Sequence, residues 1–475
     1  MKQGEVNAEQ FLILGAARSG MAAARLLKRH GGSVRVADQK TRAEAEALAR
    51  EFESEGISVQ WGTSDPELVL EGSTVLIKSP GIPQTNAIVT AARQRGIRVI
   101  SEIELASVFM PKTARLVAVT GTNGKTTTTA WLTHMLKSAG VNAVAAGNIG
   151  DAWCNLVDQP AYATPGSVFV VECSSFQLED LEDFRPHIAL VTNLSPDHMD
   201  RYNDRFEEYV AAKRNIATRM GPDDLLIINA GNSACLSFAE GLGCRIGAFG
   251  TRDVLENLSG VYAVAAAMDG ESVALRFASA GNQWRNVCAI KELPIPGTHN
   301  TENAMVALAA ASEILGSNWP LAKKGLLDFS GVEHRIEFCG EREDGVRFYN
   351  DSKATNLDAM EQALKAFGRP VIVIAGGRDA HSDYHAIEAL VRSSIKHLVT
   401  VGEAAELIEN AWAKLVPTER AASMEDAVLR AASAARPQDI VVLSPGCKSF
   451  DMYNNFEERG RDFKEKVQLL LQTKR

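Results

Sequence analysis

The sequence predicts an α/β protein of three domains: a Rossmann-like N-terminal domain over residues 1–111, a central P-loop ATPase-like domain with a mainly parallel sheet over 112–331, and a Rossmann-like C-terminal domain over 332–475. Three observations lead there. Short runs rich in Val, Ile and Leu alternate with helical patterns along the chain, as parallel strands covered on both faces by helices require. Twice, at "LGAARSG" and "VTGTNGKTTT", an apolar run ends in a glycine loop that opens a helix. The length of 475 residues allows about three domains of roughly 150 residues each.

In the first domain "FLILG" reads as a strand, "SGMAAARLLKRHG" as a helix and "VRVAD", ending in Asp38, as the next strand, together one βαβ unit. Strands follow at "STVLIKSPGIP" and "IRVISEIELA", and Met110-Pro111-Lys112 reads as a linker. The central domain starts with the strand "ARLVAVT", the glycine loop and a helix to about Gly140, then adds strands at "SVFVVECSS" and "HIALVTNLSPDHMDRY". Polar residues stand at the C-terminal ends of these strands, where open parallel sheets collect their active sites. From about Gly260 to Lys291 the alternation is of the antiparallel kind, and "LPIPGTHNTENAMVALAAA" returns to a long helix. The third domain starts near "DFSGVEHRIE", with strands at "PVIVIAGG", "HLVTVG" and "DIVVLSPG".

Composition bounds the function. The chain is 45% hydrophobic and 23% charged, as ordinary globular proteins are. A formal charge of −9 offers no basic surface to nucleic acid, so anionic substrates have to be met by local groups. Seven cysteines without a Cys-x-x-Cys pair argue against a disulfide framework or a zinc site and for a reducing compartment. The polar start "MKQGEVNAEQ" runs straight into "FLILG", so neither a signal peptide nor a membrane span is expected, and the location expected is the cytoplasm.

The loop Gly121-Thr122-Asn123-Gly124-Lys125-Thr126-Thr127 is two residues shorter than the common P-loop. Its backbone N–H groups would still face a concavity at a helix N-terminus, where phosphates bind. Lys125 would reach the β and γ phosphates of ATP, and the Thr126 hydroxyl would sit on Mg2+. Magnesium on a triphosphate takes one or two carboxylates as well, and Glu172 at the end of "VFVVE" is placed for that. His198, after another strand of the same sheet, is a candidate for a second metal ion. Read alone, a Glu such as Glu172 after a strand is more often a helix cap or a solvated residue, and His198 reads as a loop histidine rather than a metal ligand. "GAARSG", from Gly15 to Gly20, carries Ala17 where a dinucleotide-binding loop needs its middle glycine, which weakens an NAD site. No Asn-Lys-x-Asp sequence supports a guanine-reading switch.

"GTNGKTTT", "VECSSFQL", "NLSPDHMDRY", "GTHNTENAMVAL", "GVEHRIE", "NDSKATN" and "LSPGCKSFDMYNNFEERG" occur in this order, and together they resemble the Mur ligases of peptidoglycan synthesis. The match runs from about Leu12 to Val467. "NDSKATN" and "SFDMYNNFEERG" are most similar to the branch that adds D-glutamate to UDP-N-acetylmuramoyl-L-alanine, and the Asp-Asn-Pro-Arg signature of the diaminopimelate- or lysine-adding branch is absent.

The resemblance implies an ATP-dependent ligase with an acyl-phosphate intermediate, two Mg2+ ions and monomeric action. Thr126 and Glu172 would hold the first ion and His198 the second. Lys213 in "AAKRNIATR" matches a lysine that the family carbamylates; read alone, it is a helix-surface lysine. Asn300 and Asn303, three apart and hence on one helix face, would meet the adenine and ribose end of ATP. Alternatively Asn300 or Thr301 caps that helix, with Glu302 in the first turn. Arg335 would contact phosphate, and Asp351 and Lys353 would complete the site, on a domain closure that keeps water from the acyl phosphate. Gly15, Ser19, Asp38, Ser79, Gly81 and Asn148 would hold the nucleotide-sugar substrate, and Ser449 and Phe456 the D-glutamate. The sequence departs from the family where "AGGRDAHSDY" has Ala380 in place of a lysine, and Arg378 or His381 is expected to supply that charge.

Overall fold

The structure, a computed structural model, describes residues 3–472 apart from 258–261, 282, 296 and 380–381. The chain forms two compact units, the first running to Phe329 and the second from Ser330.

The first unit contains two sheets. Five strands, β1 (Gln10–Leu14), β2 (Ser33–Asp38), β3 (Ser58–Trp61), β4 (Val75–Lys78) and β5 (Arg98–Ser101), are parallel in the order β3-β2-β1-β4-β5. Chain direction across the sheet reverses between β1 and β4, and such switch points open a crevice for a ligand. Gly15 follows β1 and Ser79 follows β4, and the Ser79 hydroxyl donates to the Gly15 carbonyl at 3.2 Å. The helix Arg18–Arg29 approaches β1 so closely that a Cβ on Gly20 would stand 2.0 Å from the Gly15 carbonyl oxygen. The expected strand "IRVISEIELA" ends early: the Ser101 hydroxyl accepts from the Glu104 N–H at 3.3 Å and caps a helix over Glu102–Val108. Ser followed three residues later by Glu is a helix-start pattern, and here it overrides the apolar alternation.

The nine-stranded sheet consists of β6 (Arg115–Thr120), β7 (Ala143–Gly147), β8 (Val168–Glu172), β9 (Ile188–Val191), β10 (Leu225–Asn229), β11 (Arg245–Thr251), β12 (Val264–Asp269), β13 (Ser272–Phe277) and β14 (Arg285–Ala289). Its order is β14-β13-β12-β11-β10-β9-β6-β8-β7. The pairs from β7 through to β12 are parallel, and β12-β13 and β13-β14 are antiparallel, where the sequence alternation pointed to antiparallel strands. One apolar core runs from Phe11, Ile13 and Leu26 through Ile103 to Leu116, Trp153 and Phe169, so the two sheets share an interior.

The second unit has one sheet of β15 (Glu337–Glu341), β16 (Arg347–Asn350), β17 (Val371–Gly376), β18 (Ile395–Val401), β19 (Thr418–Arg420) and β20 (Ile440–Leu443), in the order β15-β16-β20-β17-β18-β19. Only β15 runs antiparallel to its neighbour. Among the described residues no helix is long and apolar enough to cross a membrane.

Candidate active site

In the nine-stranded sheet β6 lies between β9 and β8, and the chain leaves it in different directions on the two sides. The C-terminal ends of these three strands therefore form the switch-point crevice. The glycine loop leaves β6, Glu172 ends β8, and the segment carrying His198 follows β9.

The loop is braced by its neighbours. Gly124 has φ 81°, in the left-handed region, and a Cβ there would stand 2.2 Å from Asn303 Oδ1. Asn123 N–H donates to Asn193 Oδ1 at 2.9 Å, and the Thr192 hydroxyl donates to the Asn123 carbonyl at 2.5 Å. The Thr122 hydroxyl donates to the Ser195 carbonyl at 3.0 Å and stands 2.9 Å from the Tyr209 hydroxyl. Lys125 reaches back across the loop, Nζ donating to the carbonyls of Gly121 at 2.9 Å and Thr122 at 2.6 Å. Behind the loop the helix Lys125–Ser138 begins, with Thr126 buried and Thr127 half-buried in its first turn. A helix start concentrates unpaired N–H groups and positive partial charge, so the concavity favours an anion.

Glu172 stands in register with Val119 of β6 and Gly147 of β7 and is 1% exposed. Asn148 Nδ2 donates to its Oε1 at 3.0 Å, while Oε2 is buried without a hydrogen-bond partner. A buried carboxylate oxygen in that state is costly. A hard divalent cation is the group that such an oxygen suits, so the residues fit a magnesium ion. Asn148, expected on the substrate side, thus lies against the candidate metal ligand.

Lys213 is not on the helix surface, as its pattern suggested: it is 1% exposed. The helix Phe206–Arg214 turns it under the loop, where Nζ donates to the Gly121 carbonyl at 2.8 Å and lies 4.6 Å from the centre of the Tyr209 ring. Burial first, and then the charge of Lys125, hold its amine well below the usual lysine range, while Asp197 and Glu172 pull the other way. His198 itself sits in the left-handed region, φ 53°, and its side chain is 52% exposed. Its Nε2 lies 3.6 Å from Asp197 Oδ2, and its ring packs 4.9 Å from that of Phe176.

The helix Thr298–Leu315 is preceded by Gly297, which makes no side-chain cap. Asn300 and Thr301 do not cap it, because the helix starts earlier and encloses both as buried residues. Asn303 Nδ2 donates to Asn300 Oδ1 at 3.4 Å, and the Thr128 hydroxyl donates to Asn303 Oδ1 at 3.3 Å. The shared face of the two asparagines is therefore turned to the glycine loop and its helix.

At the first sheet the Asp38 carboxylate is occupied by backbone: Oδ2 accepts from Ala16 N–H at 2.7 Å and Oδ1 from Lys40 N–H at 2.9 Å. It shapes the turn after β1. Ser19 is half-buried on the helix after that turn, and Gly81 is exposed.

The second unit collects its candidates at strand ends too. Asp351 follows β16, and its Oδ2 accepts from the Ser444 hydroxyl at 2.9 Å just after β20. Burial pushes its carboxyl up to about 7 against the opposing Ser444 hydrogen bond and Arg335 charge. Lys353 N–H donates to the His334 carbonyl at 3.0 Å, beside Arg335. Ser449 is buried, and its carbonyl accepts from Tyr453 N–H at 2.9 Å. The Phe456 ring stands edge-on to His334 at 6.0 Å. Arg378, expected with His381 as an alternative source of that charge, donates through Nε and Nη2 to the two Glu403 carboxylate oxygens, each at 3.0 Å. Ala380 and His381 lie outside the described residues. Nothing in the sequence singled out Arg459, whose buried guanidinium donates to the Ser352 carbonyl at 2.9 Å and the Cys447 carbonyl at 3.0 Å. A lone arginine in a charged helix pattern carries no such mark; its place in "NNFEERG" was the available signal.

The chain matches the Mur ligase MurD-like N-terminal domain over residues 9–101, the Mur ligase middle domain over 119–311, and the Mur ligase glutamate ligase domain over 334–447. It is 38% identical to a UDP-N-acetylmuramoylalanine–D-glutamate ligase of Salinibacter ruber, over 99% of this chain and 100% of that one. The enzyme of the same description from Shouchella clausii is 39% identical over 99% of both chains. In fold it is similar to the UDP-N-acetylmuramate–alanine ligase of Thermotoga maritima, with TM-score 0.54 and 16% identity over 97% of this chain and 99% of that one. Identity of this order along nearly the full length of both chains means that the protein belongs to the Mur ligase family and within it is most like the UDP-N-acetylmuramoylalanine–D-glutamate ligases.

Proposed function

We propose that the protein joins D-glutamate to UDP-N-acetylmuramoyl-L-alanine at the expense of ATP, in the cytoplasmic synthesis of a peptidoglycan precursor. The observation that carries the chemistry is the partnerless buried oxygen of Glu172 beside the phosphate-binding loop. The choice of substrates rests on the full-length likeness to D-glutamate ligases.

Loop N–H groups and the start of the helix Lys125–Ser138 bind the phosphates of ATP, and Lys125 turns from its loop carbonyls to the transferring phosphoryl group. Thr126 and Glu172 would hold one magnesium ion and His198 with Lys213 a second, and the metal would supply charge neutralisation on the phosphates. Lys213 serves in this way as a carbamate. Its neutral amine can add to carbon dioxide and release one proton to solvent, which leaves an anionic carbamate where a cation would otherwise stand. The carboxylate of the alanyl substrate attacks the γ-phosphorus and ADP leaves. The D-glutamate amine then attacks the acyl phosphate carbonyl, loses a proton and expels phosphate. The buried surroundings of the loop strengthen each of these electrostatic contacts.

The test is phosphate release with ATP, Mg2+ and UDP-N-acetylmuramoyl-L-alanine, offering D-glutamate, L-glutamate, L-alanine or L-lysine, with mass spectrometry of the product. Turnover with D-glutamate alone supports the proposal. Turnover with another amino acid reassigns the second unit's substrate, and none with any refutes the ligase reading.

A further inference from the structure

We propose that Arg201 is a positioning residue that fixes the turn holding the nucleotide-sugar substrate and the segment carrying His198 in one register; this rests on the ligase reading above. Arg201 lies in the short turn Met199–Tyr202 that directly follows His198. Its Nε donates to Glu179 Oε1 at 2.9 Å and its Nη2 to Glu179 Oε2 at 2.7 Å, a two-pronged grip. The same Nη2 donates to the Ile82 carbonyl at 3.0 Å.

Ile82 closes the turn that begins at Ser79 after β4. Its carbonyl also accepts from Lys78 Nζ at 3.1 Å, and that amine in turn pairs with Glu179 at 3.1 Å and Asp180 at 3.2 Å. On the other side the Arg201 guanidinium covers the Phe176 ring at 4.2 Å, and the His198 ring packs on that same phenyl group at 4.9 Å. A continuous path of contacts thus runs from the Ile82 carbonyl through Arg201 and Phe176 to His198.

The path is built of buried charge. Side-chain exposure is 11% for Arg201, 6% for Glu179 and 1% for Lys78. Away from water such groups tolerate only a geometry that satisfies all of them, and losing one partner strands the others. Lysine cannot replace the planar fork that grips both Glu179 oxygens while reaching Ile82. Burial opposes ionisation of Glu179, yet the Arg201 hydrogen bond and the Lys78 charge hold its carboxyl below the usual range, so the grip is ionic at neutral pH. A shift of the turn by about an ångström would misplace the substrate carboxylate, and misplacement of that size costs on the order of a hundredfold in rate.

The experiment compares the intact wild-type protein with Arg201→Lys and Tyr202→Phe. Tyr202→Phe removes only the hydroxyl that donates to Glu179 Oε1 at 3.0 Å. In Arg201→Lys, KM for UDP-N-acetylmuramoyl-L-alanine is expected to rise by about tenfold and kcat to fall, with KM for ATP changed by less than about twofold. Tyr202→Phe should move the same two constants in the same direction by less, with a melting temperature near that of the wild type. A merely structural role would lower the melting temperature and leave that split absent. An unchanged KM for the UDP-linked substrate in Arg201→Lys overturns the proposal; if that variant does not fold, an unchanged KM in Tyr202→Phe does so. Absence of turnover in the wild type itself would instead overturn the ligase reading.

Discussion

Asn148 holds one oxygen of Glu172 at 3.0 Å, while the other is buried with no partner. The amide fixes the direction in which the bare oxygen points, as groups behind a metal ligand commonly do.

Glu172→Gln is therefore expected to lower turnover by about a hundredfold or more, the scale of losing a charged group that acts on the transferring phosphoryl. It also relieves a buried carboxylate, so the melting temperature without Mg2+ should be unchanged or higher. Phosphate release over a Mg2+ titration, together with thermal melts, checks both. A destabilised variant with normal turnover would contradict the assignment.

Much of this arrangement was readable in the sequence, and the reason is local. The glycine loop and Glu172 each adjoin an apolar run directly, and His198 lies in the segment that follows another, so strand ends could be recognised and joined to the chemistry that gathers there. Lys213 was readable only through the family resemblance, because its burial comes from the underside of the loop, whose Gly121 carbonyl is 92 positions away, while Tyr209 one helical turn before it only completes the cover. The grip of Arg201 on Glu179 and Ile82 was hidden for the same reason: it joins residues 22 and 119 positions apart. The helix over Glu102–Val108 was misread as strand because Ile103 and Leu105 alternate with acids, while the decisive cap is one hydroxyl, that of Ser101.

Lys213 gives a prediction with a pH sign. Its folded amine titrates well below the usual lysine value because it is buried. Between that lowered value and the unfolded value of about 10.4 the unfolded chain binds the extra proton, so the wild type gains stability as pH rises through this window. In bicarbonate-free buffer Lys213→Met should melt higher than the wild type near neutral pH, with the margin shrinking as pH approaches about 10. Added bicarbonate should raise wild-type turnover and leave the variant inactive. Thermal melts and phosphate release read these outcomes.

Gly124 and Asn303 should behave as a coupled pair. Gly124→Ala meets Asn303 Oδ1 at 2.2 Å and forces a side chain onto a left-handed residue. The double variant with Asn303→Ala removes the collision and keeps the backbone strain of about 1–2 kcal/mol together with the loss of the Asn303 hydrogen bonds to Asn300 and Thr128. Its loss of stability should then be smaller than the sum of the two single losses, which denaturation of all three variants measures. Simple additivity would contradict the contact.

Asp351 should make the second unit less stable as pH rises. Burial lifts its folded value to about 7, above the usual range, so the folded state binds the extra proton below that point. Stability from this group is fully present below the unfolded value of about 3.9 and is lost as pH climbs through about 7. Asp351→Asn should accordingly gain stability relative to the wild type across that interval, by on the order of a few kcal/mol. Melts between about pH 4 and pH 8 follow it, and a constant difference would contradict the assignment.

The central claim is that ATP activates a substrate carboxylate beside the glycine loop before an amine attacks it. UDP-N-acetylmuramoyl-L-alanine labelled with heavy oxygen in its carboxylate, incubated with ATP, Mg2+, D-glutamate and the protein, tests this most directly. Passage through an acyl phosphate predicts one heavy oxygen in the released phosphate for each amide formed, with ADP as the other product. Amide formed with AMP and pyrophosphate, or with unlabelled phosphate, would contradict it.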